Sequence, residues 1–193
     1  MSQEPLRLAV IVGSNREARF GQVVGDWFAG VAKRREDVTV DVIDLAHHDL
    51  TTVLSRNPSP EVAGELGKIS PRLADADAFV VVTPEYNHSY PASLKNLIDW
   101  HHTQWQAKPV GFVSYGGLSG GLRAVEHLRP VFAELHAVTV RDVVSLHMAW
   151  EQFGPDGEPK DNGPAQAAKV LLDQLRWWGD ALRAARARAP YGS

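Results

Sequence analysis

The feature that most constrains this chain is a repeated pairing. A short apolar run rich in β-branched residues is followed by a stretch with helical periodicity, and the pair recurs along the sequence. Residues 6–12 (LRLAVIV) form the first run, which stops at Gly13. In the following stretch, 20–35, Val23, Val24, Trp27, Phe28 and Val31 share roughly one face, as in an amphipathic helix. Residues 38–45 (VTVDVIDL) alternate as a strand does. The segment 61–74 reads as a helix weakened by Gly64, Gly67 and Pro71. Residues 78–83 (AFVVVT) are continuously apolar, as expected of a strand covered on both faces. A helix over 91–101, a strand over 108–115 and a helix over 122–135 follow, the last with a possible kink at Pro130. A fifth strand over 137–144 and a helix over 163–186 complete the pattern.

The strands recur roughly every 30 to 40 residues, the spacing of βαβ units. Right-handed crossovers then predict an α/β fold with a parallel sheet and helices on both faces. Ligands of such sheets lie beyond the carboxyl ends of the strands, where the strand order reverses. The loops after the first, third and fourth strands should therefore share one crevice. A length of 193 residues suits a single domain, 1–193, with a substantial core. The net charge of −3 disfavours a general nucleic-acid or anionic-membrane role. There is no cysteine, which excludes disulfides, thiolate metal sites and thiol nucleophiles and fits a reducing cytoplasm. No apolar run approaches the ~20 residues of a membrane helix, and the polar start carries no signal-peptide pattern.

The three loops carry the unusual residues. After the first strand comes Gly13-Ser14-Asn15-Arg16-Glu17-Ala18-Arg19-Phe20-Gly21. A loop of this kind opening a helix can cradle an anion on backbone N–H groups and the helix dipole. Ser14 can donate a hydroxyl, Arg16 a charge-assisted contact, and Gln22 a first-turn N–H. Ordinary turn and cap residues with solvated arginines are the alternative. Neither a Gly-Lys-Ser/Thr P-loop nor Gly-x-Gly-x-x-Gly is present. The third loop, in 83–100, opens with Pro84 and holds Tyr86, Asn87, His88 and Tyr90 before Pro91, which suits a first helical turn. Such residues suit a flat ring with polar edges, although singly the tyrosines read as packing and Asn87 as a turn residue. The fourth loop, Ser114-Tyr115-Gly116-Gly117-Leu118-Ser119-Gly120-Gly121, is glycine-rich. That makes sense where a ligand touches bare backbone or where positive φ is needed; a flexible turn is the alternative.

GSNREARFG, TPEYNHSYPASLKNLIDW and SYGGLSGG together resemble the NADPH-dependent FMN reductase family, which includes related quinone, azo-dye and chromate reductases. The resemblance runs from Leu8 to about Val144. It implies a flavodoxin-like three-layer sandwich around a five-stranded parallel sheet. It implies FMN as cofactor and NADPH or NADH as co-substrate, with a quinone, free flavin, azo compound or metal oxyanion as acceptor. By the same resemblance Ser14, Arg16, Phe20, Gly21 and Gln22 hold the FMN phosphate. Pro84, Glu85, Tyr86 and Asn87 line the ribityl chain and ring, and Ser114, Gly116, Gly117 and Gly121 the pyrimidine side. The first loop departs from the family where many members carry a second Ser and an Asn; here stand Arg19, Phe20 and Gly21. The chemistry belongs to the cofactor, so no catalytic side chain is expected. A homodimer or homotetramer is expected, with the helix from Pro91 as a candidate interface. An FMN-binding electron carrier or redox sensor without NAD(P)H turnover is the alternative, but carriers are usually strongly acidic, and this chain has 20 Lys and Arg.

The remaining motifs point elsewhere or nowhere. His101 and His102 are adjacent and would diverge on a helix, and with His127, His136 and His147 they form no ligand spacing, so no metal is expected. Asp77 lacks the acidic pair of a receiver domain. Ser119 is not centred on Gly-x-Ser-x-Gly. Gly154-Pro155-Asp156-Gly157 reads as a tight turn. The preceding Trp150 and Phe153 are read as exposed aromatics of a lid or subunit contact, or else as a cover for the sheet end.

Overall fold

The computed structural model describes residues 4–192. Its elements are β1 (Leu6–Val12), α1 (Gly21–Lys33), β2 (Val38–Asp44), α2 (Pro60–Asp75), β3 (Ala78–Pro84), α3 (Ala92–Trp100), β4 (Pro109–Tyr115), α4 (Leu122–Glu134), β5 (Val138–Leu146), α5 (Ala149–Gln152) and α6 (Gly163–Arg188). The sheet order is β2-β1-β3-β4-β5, all parallel. The chain runs outward one way from β1 to β2 and the other way from β3 to β5. The switch point lies between β1 and β3, as in flavodoxin-like folds. Pro91 differs slightly from expectation: its ψ of 145° is extended, so it caps α3 rather than joining it. Pro71 and Pro130 lie inside α2 and α4 rather than ending them.

The central strands explain their own composition. β3 and β4 are buried along their whole length because helices cover both faces. Alternation along β3 sends Val80 and Val82 to one side and Phe79 and Val81 to the other. On the first side Trp27 and Phe28 of α1 pack beside Leu171, Leu172 and Leu175 of α6. On the second side lie Ile69 and Leu73 of α2, Leu97 and Ile98 of α3, and Leu128 and Phe132 of α4. Each such side chain contributes about 1.5–3 kcal/mol when fully buried. His101 belongs to this second layer. It is buried, bonded to the Leu97 carbonyl (2.8 Å) and the Ser70 hydroxyl (2.9 Å), and burial pushes its pKa down. Among the described residues no group of three or more His, Cys, Asp or Glu is arranged to hold a metal ion. No helix there is long and apolar enough to cross a membrane.

Two features of the chain ends of the strands matter later. At the amino end, Asp77 is 1% exposed and accepts from the Arg7 backbone N–H (3.1 Å) and guanidinium (3.2 and 3.3 Å), with Arg183 and Arg186 at 3.4 and 3.5 Å. Beside it the buried Lys108 donates to the carbonyls of Leu73 and Ala74 (2.9 and 2.7 Å), capping α2. At the carboxyl end, Phe153 corrects the expectation of an exposed aromatic. It is buried, edge-on to Phe20 (5.4 Å) and Trp27 (5.8 Å), because residues 153–159 fold back through a bridge between Phe153 and Pro159. Trp150 is exposed as expected, at 55%.

Candidate functional site

The carboxyl ends of β1, β3 and β4 converge on one cleft of about 310 Å³. Ser14, Arg16, Ala18, Arg19 and Phe20 come from the loop after β1. Pro84, Glu85 and Tyr86 come from the end of β3, and Tyr115, Gly116 and Gly117 from the end of β4. Trp150 of α5 completes the lining.

The first loop is held as an arc open to solvent. Gly13 is tied at both ends: its N–H donates to the Val82 carbonyl (2.9 Å), and its carbonyl accepts from the Ser93 hydroxyl (2.7 Å). Arg19 bends back, donating to the Ser14 carbonyl (3.1 Å) and to Asp44 (2.6 Å), with only 9% of its side chain exposed. Ala18 takes a left-handed φ of 49° to permit this. Among the described residues, the backbone N–H groups from Ser14 to Ala18 find no acceptor in the protein. Arg16 is exposed, lines the cleft and has no ion-pair partner among those residues. Unpaired donors, a free guanidinium and a helix start form the donor set an anion requires.

Ser14 and Tyr86 join the first loop to the third. Their hydroxyls are 2.7 Å apart, and Ser14 is 1% exposed. Beneath them Tyr115 is buried, and burial pushes its phenol pKa up, out of reach of ordinary pH. Glu85 clasps the third loop to the fourth. Its carboxylate accepts from the Ser119 hydroxyl (2.6 Å) and the Arg123 backbone N–H (3.2 Å) and pairs with the Arg123 guanidinium. Burial pushes the Glu85 carboxyl up, but Ser119 and Arg123 outweigh it and hold it below the usual carboxylate range.

Of the residues expected at the site, Ser14, Arg16, Phe20, Pro84, Glu85, Tyr86, Gly116 and Gly117 line this cleft. The others lie around it with different work. Gly21 is buried against Tyr115, whose hydroxyl a Cβ there would strike. Gln22 is exposed on the first turn of α1. Asn87 and His88, at φ 49° and 74°, form the centre of a two-residue turn closed by Tyr86 N–H to Ser89 O (2.8 Å) and Ser89 N–H to Tyr86 O (3.1 Å). That mirror-image turn suits asparagine. Ser114 is buried and donates to the Gly120 carbonyl (2.8 Å), and Gly121 caps α4 at φ 80°. These two shape the fourth loop from behind.

Four lining residues, Ala18, Arg19, Tyr115 and Trp150, escaped the sequence reading of the site. Arg19 carried a signal, since it stands three residues after Arg16 in the same loop. Tyr115 read simply as the last residue of a strand. Trp150 carried no spacing signal, because α5 reaches the cleft by folding back: the N–H groups of Met148 and Ala149 donate to the carbonyls of Gly117 (3.0 Å) and Gly116 (3.1 Å). Together the cleft offers anion-binding donors at one end and an aromatic wall with bare backbone at the other.

Known proteins are similar to this chain in sequence and fold. A family model described as NADPH-dependent FMN reductase matches residues 6–151. An NAD(P)H-dependent FMN reductase of Schizosaccharomyces pombe is 36% identical over 122 residues, 60% of each chain. A 2-hydroxy-1,4-benzoquinone reductase of a Burkholderia species is 34% identical over 139 residues, 69% of this chain and 73% of that one. A probable NADPH:quinone oxidoreductase of Oryza sativa is 32% identical over 185 residues, 89% and 90% of the two chains. The solved structure of FerB, a flavoenzyme NAD(P)H:(acceptor) oxidoreductase from Paracoccus denitrificans, superposes with a TM-score of 0.72 at 24% identity, covering 91% of this chain and 98% of that one. The family match spans most of the chain and includes every loop of the cleft, so the chain belongs to the NADPH-dependent FMN reductase family.

Proposed function

We propose that the protein is an FMN-dependent NAD(P)H oxidoreductase that delivers electrons to a quinone-type acceptor. One observation carries the reading: an anion-ready loop and an aromatic, glycine-floored wall meet in a single cleft at the switch point of the sheet. The residues fit FMN chemically. A phosphate matches the unpaired N–H groups of 14–18 and the free guanidinium of Arg16, and the apolar faces of a flavin ring match Tyr86 and the Gly116–Gly117 backbone. When bound, FMN supplies the redox chemistry, taking a hydride equivalent from NADPH or NADH and passing the electrons on.

The protein's share is to bind, orient and restrict access. Arg19, fixed by Asp44, holds the arc of the first loop, and Arg16 supplies exposed charge at its edge. Glu85, engaged by Ser119 and Arg123, fixes the distance between the two ring-facing loops and is not free to act as a base. The relatives named for quinones favour a quinone over free flavin, an azo compound or a metal oxyanion. A homodimer or homotetramer and a cytoplasmic location go with this reading and are checked by light scattering and cell fractionation. The test of function is anaerobic. FMN-loaded protein should lose its yellow absorbance on adding NADPH or NADH and regain it on adding menadione, through many cycles. Bound FMN that no reduced nicotinamide bleaches would contradict the enzyme reading and favour an electron carrier.

A further inference from the structure

The mouth of the cleft has an exposed aromatic side chain that nothing in the fold requires. α5 is four residues long, yet it is fixed on every side except one. Its preceding residue, Met148, takes a left-handed φ of 45° so that the N–H groups of Met148 and Ala149 can both reach the glycine carbonyls of the fourth loop. Ala149 is fully buried, and Phe153 just after the helix is locked among Phe20 and Trp27. Trp150 and Glu151 are the exposed residues of the helix, and of the two it is Trp150 that lines the cleft. It is 55% exposed, and its six-membered ring edge lies over Gly117, 3.5 Å from where a Cβ would stand. A large planar apolar side chain with only two rotatable bonds, carried on an anchored backbone at a cleft mouth, loses little freedom on binding and gains both buried area and ring stacking.

We infer that the Trp150 indole is the stacking wall for the planar ring of the acceptor, a quinone, and so sets the protein's preference for flat over non-planar electron acceptors. The indole lies directly beside Gly117, where a Cβ would meet it at ordinary contact distance, so ring and backbone together form this side of the rim. The inference rests on the cleft being the FMN site, because a quinone is reduced only against a bound flavin.

The test separates the two ideas. Protein labelled with fluorotryptophan and loaded with FMN is titrated with menadione without any reduced nicotinamide, so that no turnover occurs. The Trp150 fluorine signal is identified by its loss in Trp150→Phe. It should shift on adding menadione. Trp150→Ala should weaken menadione binding about tenfold, Trp150→Phe much less, and the loss for menadione should clearly exceed any loss for FMN, measured separately on the apoprotein. In steady state, Trp150→Ala should raise KM for menadione more than KM for ferricyanide, which has no flat ring. A Trp150 signal blind to menadione, or equal losses for menadione and FMN, would overturn the inference. So would a signal that follows protein concentration instead, which would assign the indole to a subunit contact. If the unaltered protein fails to bind FMN at all, the cofactor reading falls, and this inference with it; if FMN binds and Trp150 ignores menadione, only the inference falls.

Discussion

Gly117 and Gly121 stand in one loop and are glycines for different reasons. Gly121 has φ 80°, and a Cβ there would come within 2.8 Å of Ser114 Cβ and 2.9 Å of the Tyr115 nitrogen. Gly117 has no such strain, and its Cβ would meet only Trp150 at ordinary contact distance. Gly121→Ala should therefore lower stability by about 1–3 kcal/mol, read from denaturant unfolding. Gly117→Val should fold with near-native circular dichroism but carry little flavin, because its side chain projects into the cleft. Full flavin occupancy of purified Gly117→Val would remove this residue from the site. The run SYGGLSGG revealed a loop with special backbone needs but not which glycine served which need. That division depends on Ser114 and Ser145, which both bond the Gly120 carbonyl from separate strands. Ser14 and Arg16 were legible as cleft-lining residues because a strand, a short polar loop and a helix start bring that loop to the carboxyl edge of the sheet. Ser14 proves to be shared with Tyr86, a contact between residues far apart in the chain that no local pattern encodes.

Among the elements, the strands and long helices were legible to within a few residues, since each repeats its period several times. α5 was not, because four residues show no period and its stability comes from two glycine carbonyls contributed by another loop. The clasp between the β3 loop and α4 was equally hidden: Glu85 sits in the recognisable block, but its partners Ser119 and Arg123 are set by the path of the fourth loop. Glu85→Ala removes those charge-assisted bonds. It should lower stability by about 1–2 kcal/mol at neutral pH, discounted because Arg123 is half exposed, and should weaken FMN binding as the two loops separate. The pH dependence follows from the carboxyl being held below its ordinary 4.5. The clasp's contribution is fully present above that value and is lost as pH falls through the lower folded-state value. Unfolding curves of the two proteins should thus converge as pH falls below about 4.5; a gap that stays constant into acid would mean that the Glu85 charge is not what holds the loops.

At the scale of the molecule, the two ends of the sheet divide the labour. The amino end is bolted by Asp77 among Arg7, Arg183 and Arg186, while the carboxyl end leaves donors unpaired around the cleft. Asp77→Asn should cost about 2 kcal/mol or more of stability by leaving those arginines uncompensated. FMN affinity of the folded protein should change by less than about twofold, since mutations at distant, independent sites act additively; a large loss of FMN affinity would show that the ends are coupled. The alternation of strands and helices made the parallel sheet legible, and the position of the cleft at its switch point followed from topology alone. The central claim is that this cleft holds FMN by its phosphate on the loop after β1. Arg16→Ala tests it most cleanly, because Arg16 is exposed and unpaired whereas removing Ser14 would also release Tyr86. The measurement is the Kd of FMN and of riboflavin, which lacks the phosphate, on the unaltered protein and on Arg16→Ala. The account predicts that the variant loses roughly 1.5–3 kcal/mol of FMN affinity while riboflavin affinity scarcely moves. Equal losses for the two ligands, or none for either, would contradict it.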